Sequence, residues 1–471
     1  MASRRCCGSI RSVKKCYIRY KFLKVAKITT FLLIFTIGFA FSACSQSKKQ
    51  EQQQTAQTPS DTLGKAPVVS NGKFKALVLK RVIESKVQFP KDSNWFYEPA
   101  INSPKSAIYS QDGSKFYINS LEGYTTAVFD AKTLEKTKEI RHEFTAANNH
   151  LFKNNETTVF GYPYKQQKAQ YNHFLGKPVE SCLSHDGKYL WVTYYRRDWD
   201  PNAESPSAVA IIDTKTDQIV RVMPSGPLPK MIACSPDNQF IAVTHWGDNT
   251  VGLIDISSAD PMDFNYVSHI IIDHQVTTNF SGNVDRDNNC SNCLRGTVFT
   301  EDNKHLLVAK MGGNGIAVID LPAKKYMGTI TGSYLNLRHI VLNNGFIYLS
   351  SNKFGAVQRA ELSAILKQSF NDQQLIDFKD WQTVMVGPGA RTIDVTADGK
   401  YTFACVNNAC KVVVIDNATM KIIHEVKAEA FPVGMALSPD NKQLIVTSQG
   451  KDAVPQSGNA VMIFELEFLE E

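Results

Sequence analysis

Residues 231–257 read MIACSPDNQFIAVTHWGDNTVGLIDIS. An apolar run enters a turn built on Ser235, Pro236, Asp237 and Asn238, and an alternating strand follows. A short polar loop then leads into a second apolar strand that ends at Asp255. The turn uses Ser, Asp and Asn because these side chains hydrogen-bond their own backbone and, for Asn and Asp, tolerate left-handed geometry. The strands are rich in Val, Ile and Phe at period two, the pattern of a half-buried pleated surface. The unit recurs along the chain. Turns begin at Asp112, Asp186, Asp237, Asp302, Asn343, Asp398 and Asp440, and the strands after them end at Asp130, Asp213, Asp255, Asp320, Glu361, Asp416 and Glu465. Five of these seven intervals are 18 residues; the other two, 27 and 25, carry the insertions RRDWDPNAESPS and QGKDAVPQSG. A repeat built only from strands and turns implies an all-β, seven-bladed β-propeller.

The two ends predict how the ring closes. The last copy finishes in NAVMIFELEFLEE, a third strand with no residues left for a fourth. Residues 74–84, FKALVLKRVIE, form a strand with no blade of its own. That N-terminal strand is expected to join the last blade, which removes exposed edges. The propeller is assigned to residues 74–471.

The first 43 residues read as a lipoprotein signal peptide. Residues 1–27 carry nine Lys or Arg and no acid, residues 28–43 are apolar, and Cys44 follows. This order describes a secretory signal, and sixteen apolar residues are short for a span, which needs about 20. The sequence FSAC resembles the bacterial lipobox, with Phe41 in place of the usual Leu; the resemblance implies lipidation of Cys44. An uncleaved signal anchor is the alternative. Residues 44–73 are polar and Gln-rich, read as a flexible tether. Without the signal the charge balance becomes 43 basic against 45 acidic side chains, or −2. The basicity therefore belongs to export, and no nucleic-acid partner is expected. Ser45 after Cys44 points to the bacterial outer membrane, with the lipid anchor as the membrane partner.

Cys405 and Cys410 flank VNNA. Read as a two-residue hairpin at Asn407-Asn408, they face one another and are expected to form a disulfide. Cys290 and Cys293 form a CxxC with no matching zinc ligands and no His for haem attachment, so a loop-stapling disulfide is expected there too. Cys182 and Cys234 read as buried thiols on inner strands. Asp285, Asp287 and Asn289, like Asp198, Asp200 and Asn202, have DxDxN spacing but lack the Gly and Glu that complete a calcium loop. They read as polar turns, and no metal site is assigned.

The segments SHDGKYLWVTYY (184–195), SPDNQFIAVTHW (235–246), TADGKYTFACVN (396–407) and SPDNKQLIVTSQ (438–449) resemble the YVTN-type propeller repeat. The resemblance implies the propeller fold and leaves function open, because propellers host many unrelated chemistries.

Function is sought at the start of the innermost strands. Seven residues before the turn acid stand Lys105, Val179, Lys230, Arg295, Arg391 and Val433, with Arg338 close by in the irregular fifth blade. Five of seven blades thus offer a cation near one mouth of the channel, beside Glu180 and His339. Loops on the same face supply Tyr194, Arg196, Arg197, His245, Trp246, Lys310 and Lys353. Convergent cations focus a positive potential that attracts an anion. Two readings stand side by side: these groups bind a ligand, or they cap strand-end carbonyls and pair with Glu180. The favoured function is a non-catalytic binding scaffold for a protein, glycan or small anionic ligand, with Lys105, Glu180, Lys230, Arg295, Arg338, His339, Arg391, His245 and Trp246 as ligand-binding candidates and no cofactor. Arg338-His339 also resembles the Arg-His element of propeller lactonases, which implies a hydrolase with those two residues as catalytic candidates. Leu337 replaces that family's Pro, and SSNK (350–353) lacks its acid. A quinoprotein- or haem-type redox propeller is the third alternative.

Overall fold

The computed structural model describes residues 72–86, 93–153, 156, 172–276, 283–451 and 457–469. The signal segment, Cys44 and the tether up to residue 71 lie outside the described residues.

Seven mainly antiparallel sheets follow one another along the chain. Their innermost strands are Pro104–Tyr109, Phe174–Ser184, Pro229–Cys234, Leu294–Phe299, Leu337–Asn343, Ala390–Val395 and Pro432–Leu437, in blades one to seven. Each packs beside the next, and the seventh packs beside the first, closing a ring around a central channel.

The 18-residue spacing has a direct cause. In all seven blades the acid ending the third strand pairs with the first residue of the second: Lys115 with Asp130, Phe240 with Asp255, Tyr401 with Asp416, Gln443 with Glu465. In the five blades where that acid is Asp, its carboxylate then caps the following turn. Asp130 accepts from Lys132 N–H at 2.9 Å and Thr133 N–H at 2.7 Å, and Asp416 accepts from Thr419 N–H at 2.8 Å. The preceding turn is held by a hydroxyl two residues before its Asp. Ser110, Ser235, Thr300, Thr396 and Ser438 each donate to that carboxylate at 2.6–2.7 Å. Blade five has Asn343 and Asn344 instead and lacks this pair.

The closing strand lies where the sequence predicts. Phe74–Glu84 runs antiparallel to Ala460–Phe468 as the fourth strand of blade seven. Phe74 is buried against Tyr401, Phe403 and Phe468, and its N–H donates to the Tyr401 hydroxyl at 2.9 Å. Trp95–Tyr97 adds a parallel fifth strand to that blade. Blade four is also extended: Leu375–Asp377, which leaves blade five after the short helix Leu362–Leu366, pairs with Lys325–Thr331 before Gln382–Met385 returns to finish blade five.

One expected disulfide forms and one does not. Cys290 and Cys293 are joined. Cys405 and Cys410 are free thiols, because the hairpin loop holds four residues. Val406 pairs with Lys411 and Cys405 with Val412, leaving Cys410 in the loop at φ 51°. Cys405 is fully buried with its Sγ facing Gly434 O at 3.7 Å, while the Cys410 Sγ faces Asn407 O. Cys182 and Cys234 are only partly buried. Phe174 belongs to the inner strand of blade two, where it packs with Phe144, Phe152 and Tyr194.

Candidate functional site

Every inner strand carries a one-residue bulge at the same height, just inside the channel mouth. Pro104 and Ser106 pair with the consecutive residues Ser120 and Asn119, which leaves Lys105 as the extra residue. Lys230, Arg338 and Val433 are the extra residues in blades three, five and seven by the same count. In blades two, four and six the bulge falls within Val179-Glu180, Arg295-Gly296 and Arg391-Thr392. A bulge bends its strand and re-aims a side chain. The five cations and Glu180 are thus all bulge residues.

Strand-two side chains hold the bulges of the next blade. The Thr244 hydroxyl donates to Arg295 O at 3.3 Å, Ser350 Oγ donates to Arg391 O, and Thr447 donates to Lys105 O at 3.2 Å. Blades also approach closely here. A Cβ on Gly434 would lie 2.5 Å from Lys105 O, and one on Gly296 would lie 2.8 Å from Ile340 N.

The side chains meet around the channel. Glu180 Oε1 lies 3.8 Å from Lys105 Nζ and 3.9 Å from Arg295 Nη2, linking blades one, two and four. Lys230 pairs with Asp287 at 3.3 Å and stands over the rings of Tyr195 at 4.0 Å and Trp246 at 4.9 Å. Arg391 lies over Phe431 at 5.4 Å. Arg338 has no ion pair or side-chain hydrogen bond among the described residues. Four of the five cations are almost closed off from solvent, with Arg295 4%, Lys105 5%, and Lys230 and Arg391 each 8% exposed, and Arg338 is half-buried. Even so, Lys105 Nζ and the Nε atoms of Arg295, Arg338 and Arg391 have no hydrogen-bond acceptor among the described residues.

Electrostatics register this crowding. Burial, then the neighbouring Arg391, pull the Lys105 ammonium well below its ordinary range, against the opposing pull of Glu180. Lys230 is lowered in the same direction by burial and then by Arg295. Burial and the adjacent guanidinium of Arg391 also lower Arg338. Burial pushes the Asp287 carboxyl up to about 6, which weakens it as a counter-charge in mildly acidic solution.

Several candidates have other duties. His245 is fully buried away from the mouth, bonded to Ser225 at 3.0 Å and Thr250 at 2.8 Å and accepting from Gly226 N–H. The reason is register: His245 ends its strand between Thr250 of its own blade and Ser225 and Gly226 on the outer strand of blade two. Trp246 does line the site beside Lys230, with its indole N–H donating to Arg286 O at 3.1 Å. His339 Nδ1 faces Ile393 N–H at 3.5 Å, and burial lowers the ring to about 4, so it is a neutral wall group. Tyr194 bonds His142 in the core, Arg197 is buried over Phe174, and Lys310 pairs with Asp273 at 2.6 Å. Tyr195, Asp287 and Phe431 were not among the predicted site residues. Tyr195 follows Tyr194 in the second strand of blade two, and Phe431 directly precedes an inner strand, so position alone marked both. Asp285 and Asp200 cap turns, Asp285 accepting from Asp287 N–H and Asp200 from Ser205 N–H.

No protein-family model matches the chain, and no curated protein matches it. Solved structures do share its architecture. Kuenenia stuttgartiensis hydrazine synthase is 16% identical with a TM-score of 0.52, over 80% of this chain and 98% of that one. The Myceliophteria thermophila Cps50 (Swd1) β-propeller domain is 12% identical with a TM-score of 0.54, over 83% and 100%. A chain of the mitotic checkpoint complex is 10% identical with a TM-score of 0.53, over 83% and 95%. At such identities the likeness is one of fold alone: this chain is a seven-bladed β-propeller.

Proposed function

We propose that this protein is an exported, lipid-anchored propeller of the YVTN type that binds an anionic ligand at the channel mouth without transforming it. The observation that carries the binding reading is the set of cations on five of seven aligned bulges, several with buried donors that no acceptor among the described residues satisfies. Leaving such groups unpaired is costly, and an anion of suitable shape would repay that cost. The anchor rests on FSAC and the basic n-region, and the outer-membrane location on Ser45 after Cys44. Catalysis finds less support: Arg338 has no ion pair with an acid among the described residues, and His339 is turned to a backbone amide.

Replacing Arg338 and Arg391 together by Ala should weaken anion binding by about 2–5 kcal/mol while the fold persists. Wild-type affinity should fall as salt rises. Lys325, exposed on the outer strand of blade four, is the control whose replacement should change nothing; Lys136 is unsuitable because it pairs with Glu98 at 2.7 Å. Titration calorimetry of the full chain in mild detergent checks both. Loss of folding in the double variant would make the arginines structural. Separately, Cys44→Ala should release the protein from membranes on fractionation, and its retention there would favour a signal anchor.

A further inference from the structure

Among the described residues, Glu180 is the only carboxylate within ion-pair distance of two of the central cations. Its Oε1 stands 3.8 Å from Lys105 and 3.9 Å from Arg295, both longer than a charge-assisted hydrogen bond of about 2.7–2.9 Å. It is held between two charges without being seated on either. It makes no ion pair with Arg338 or Arg391, and neither of those has an ion pair with any acid among the described residues. With all five cations, Glu180 and Asp287 counted as charged, five cations face two carboxylates among the described residues, an excess of three positive charges.

We infer, building on the anion-binding reading above, that the mouth selects compact anions presenting two or more oxyanion groups, and that Glu180 is a built-in competitor for one corner of the site. A monoanion would supply little more than the Glu180 carboxylate already does. A polyanion places one group where Glu180 now stands, near Lys105 and Arg295, and another on Arg338 and Arg391, which Glu180 leaves unsatisfied. Guanidinium forks match phosphate and carboxylate oxygens alike, so the shared chemistry is a clustered oxyanion. Glu180 makes the preference sharper, because any ligand must push against its charge and only one with several charges gains enough elsewhere.

The test is titration calorimetry of the full chain in mild detergent at fixed ionic strength, with inorganic pyrophosphate, citrate and acetate as probes. Pyrophosphate or citrate should bind about a hundredfold more tightly than acetate, and whichever is stronger separates a phosphate source from a carboxylate one. Glu180→Gln should tighten binding of the preferred polyanion about tenfold, as expected for removing one like charge from a partly screened site. Arg338→Ala should erase most of the preference over acetate. If the polyanion binds and the Arg338/Arg391 double variant abolishes it, but Glu180→Gln gains nothing, the competitor inference is wrong and the anion site stands. If no probe binds the wild type or Glu180→Gln, the anion site itself is wrong. Should Glu180→Gln fail to fold, Arg338→Ala decides: a preference it retains overturns the inference, and a preference it loses supports it.

Discussion

Single side chains at the channel are placed by burial against charge, and pH exposes the balance. Asp394 on the inner strand of blade six accepts from Leu437 N–H at 2.9 Å and from Val395 N–H, yet burial lifts its carboxyl from 3.8 to about 6. A carboxyl raised in the folded state costs stability when ionised. That cost is absent below about pH 3.8, where both states are protonated, grows through the window up to about 6, and is complete above it. Asp394→Asn should therefore gain on the wild type by roughly 1–2 kcal/mol between pH 4 and pH 7.5, once solvent screening is allowed for. Urea unfolding at the two pH values measures it, and a stability difference that stays constant would mean Asp394 is ionised without penalty. At this scale the site was half legible. Lys105, Lys230, Arg295 and Arg391 could be found by counting back seven residues from the turns, because a repeated fold puts equal offsets at equal heights, and Arg338 lay close to that offset. The fate of His245 could not, because which face of a strand end a side chain takes depends on pairing that the residue types do not record.

At the scale of the strand and its turn, two kinds of signal behaved differently. Turns marked by a hydroxyl and an Asp were readable because the residues themselves build the turn, as Ser235 and Asp237 do. The bulges were not readable, since an extra residue has no chemical signature of its own. The hairpin after Cys405 misled for a related reason: Asn407-Asn408 suits a two-residue turn, but Asn407 N–H is taken by Gly389 O at 2.9 Å, and the loop widens to four residues. What holds the bulges is a set of hydroxyls on the second strands. Thr244 accepts from Met231 N–H at 3.2 Å and donates to Arg295 O, so it fixes its own bulge and the next one. Thr244→Val should cost about 1–3 kcal/mol, the penalty for an unsatisfied buried donor. It should also weaken anion binding through Arg295, although Thr244 touches no ligand. Chemical unfolding and anion titration on the same variant test this. A variant that loses stability but binds normally would show that the bulge keeps its shape without the hydroxyl.

For the whole molecule, the decisive feature is that both ends of the propeller chain lie in one sheet. This was legible because the last repeat lacks a strand and an unassigned strand precedes the first. The extra parallel strand Trp95–Tyr97 was not, since three residues carry no periodicity. Seven sheets in a ring are stable only if the last contact closes, and here that contact is the pairing of Phe74–Glu84 with Ala460–Phe468. Val82 and Ile83 are buried at one end of the strand and Phe74 and Leu77 toward the other, tying blade seven to the cores on both sides. Deleting residues 72–84 from the full chain would strip this cover and expose Ala460–Phe468 as an unpaired edge, a template for association. The deletion should lose cooperative unfolding and self-associate, as seen by light scattering after gel filtration. Adding a synthetic peptide of residues 72–86 should restore the monomer by strand addition. Phe74→Ala should be milder, costing about 3–5 kcal/mol while the ring stays closed, because it opens a cavity and keeps the backbone pairing. A deleted protein that stays monomeric and unfolds in one sharp transition would mean that packing between blades holds the ring, and that the shared sheet only finishes it.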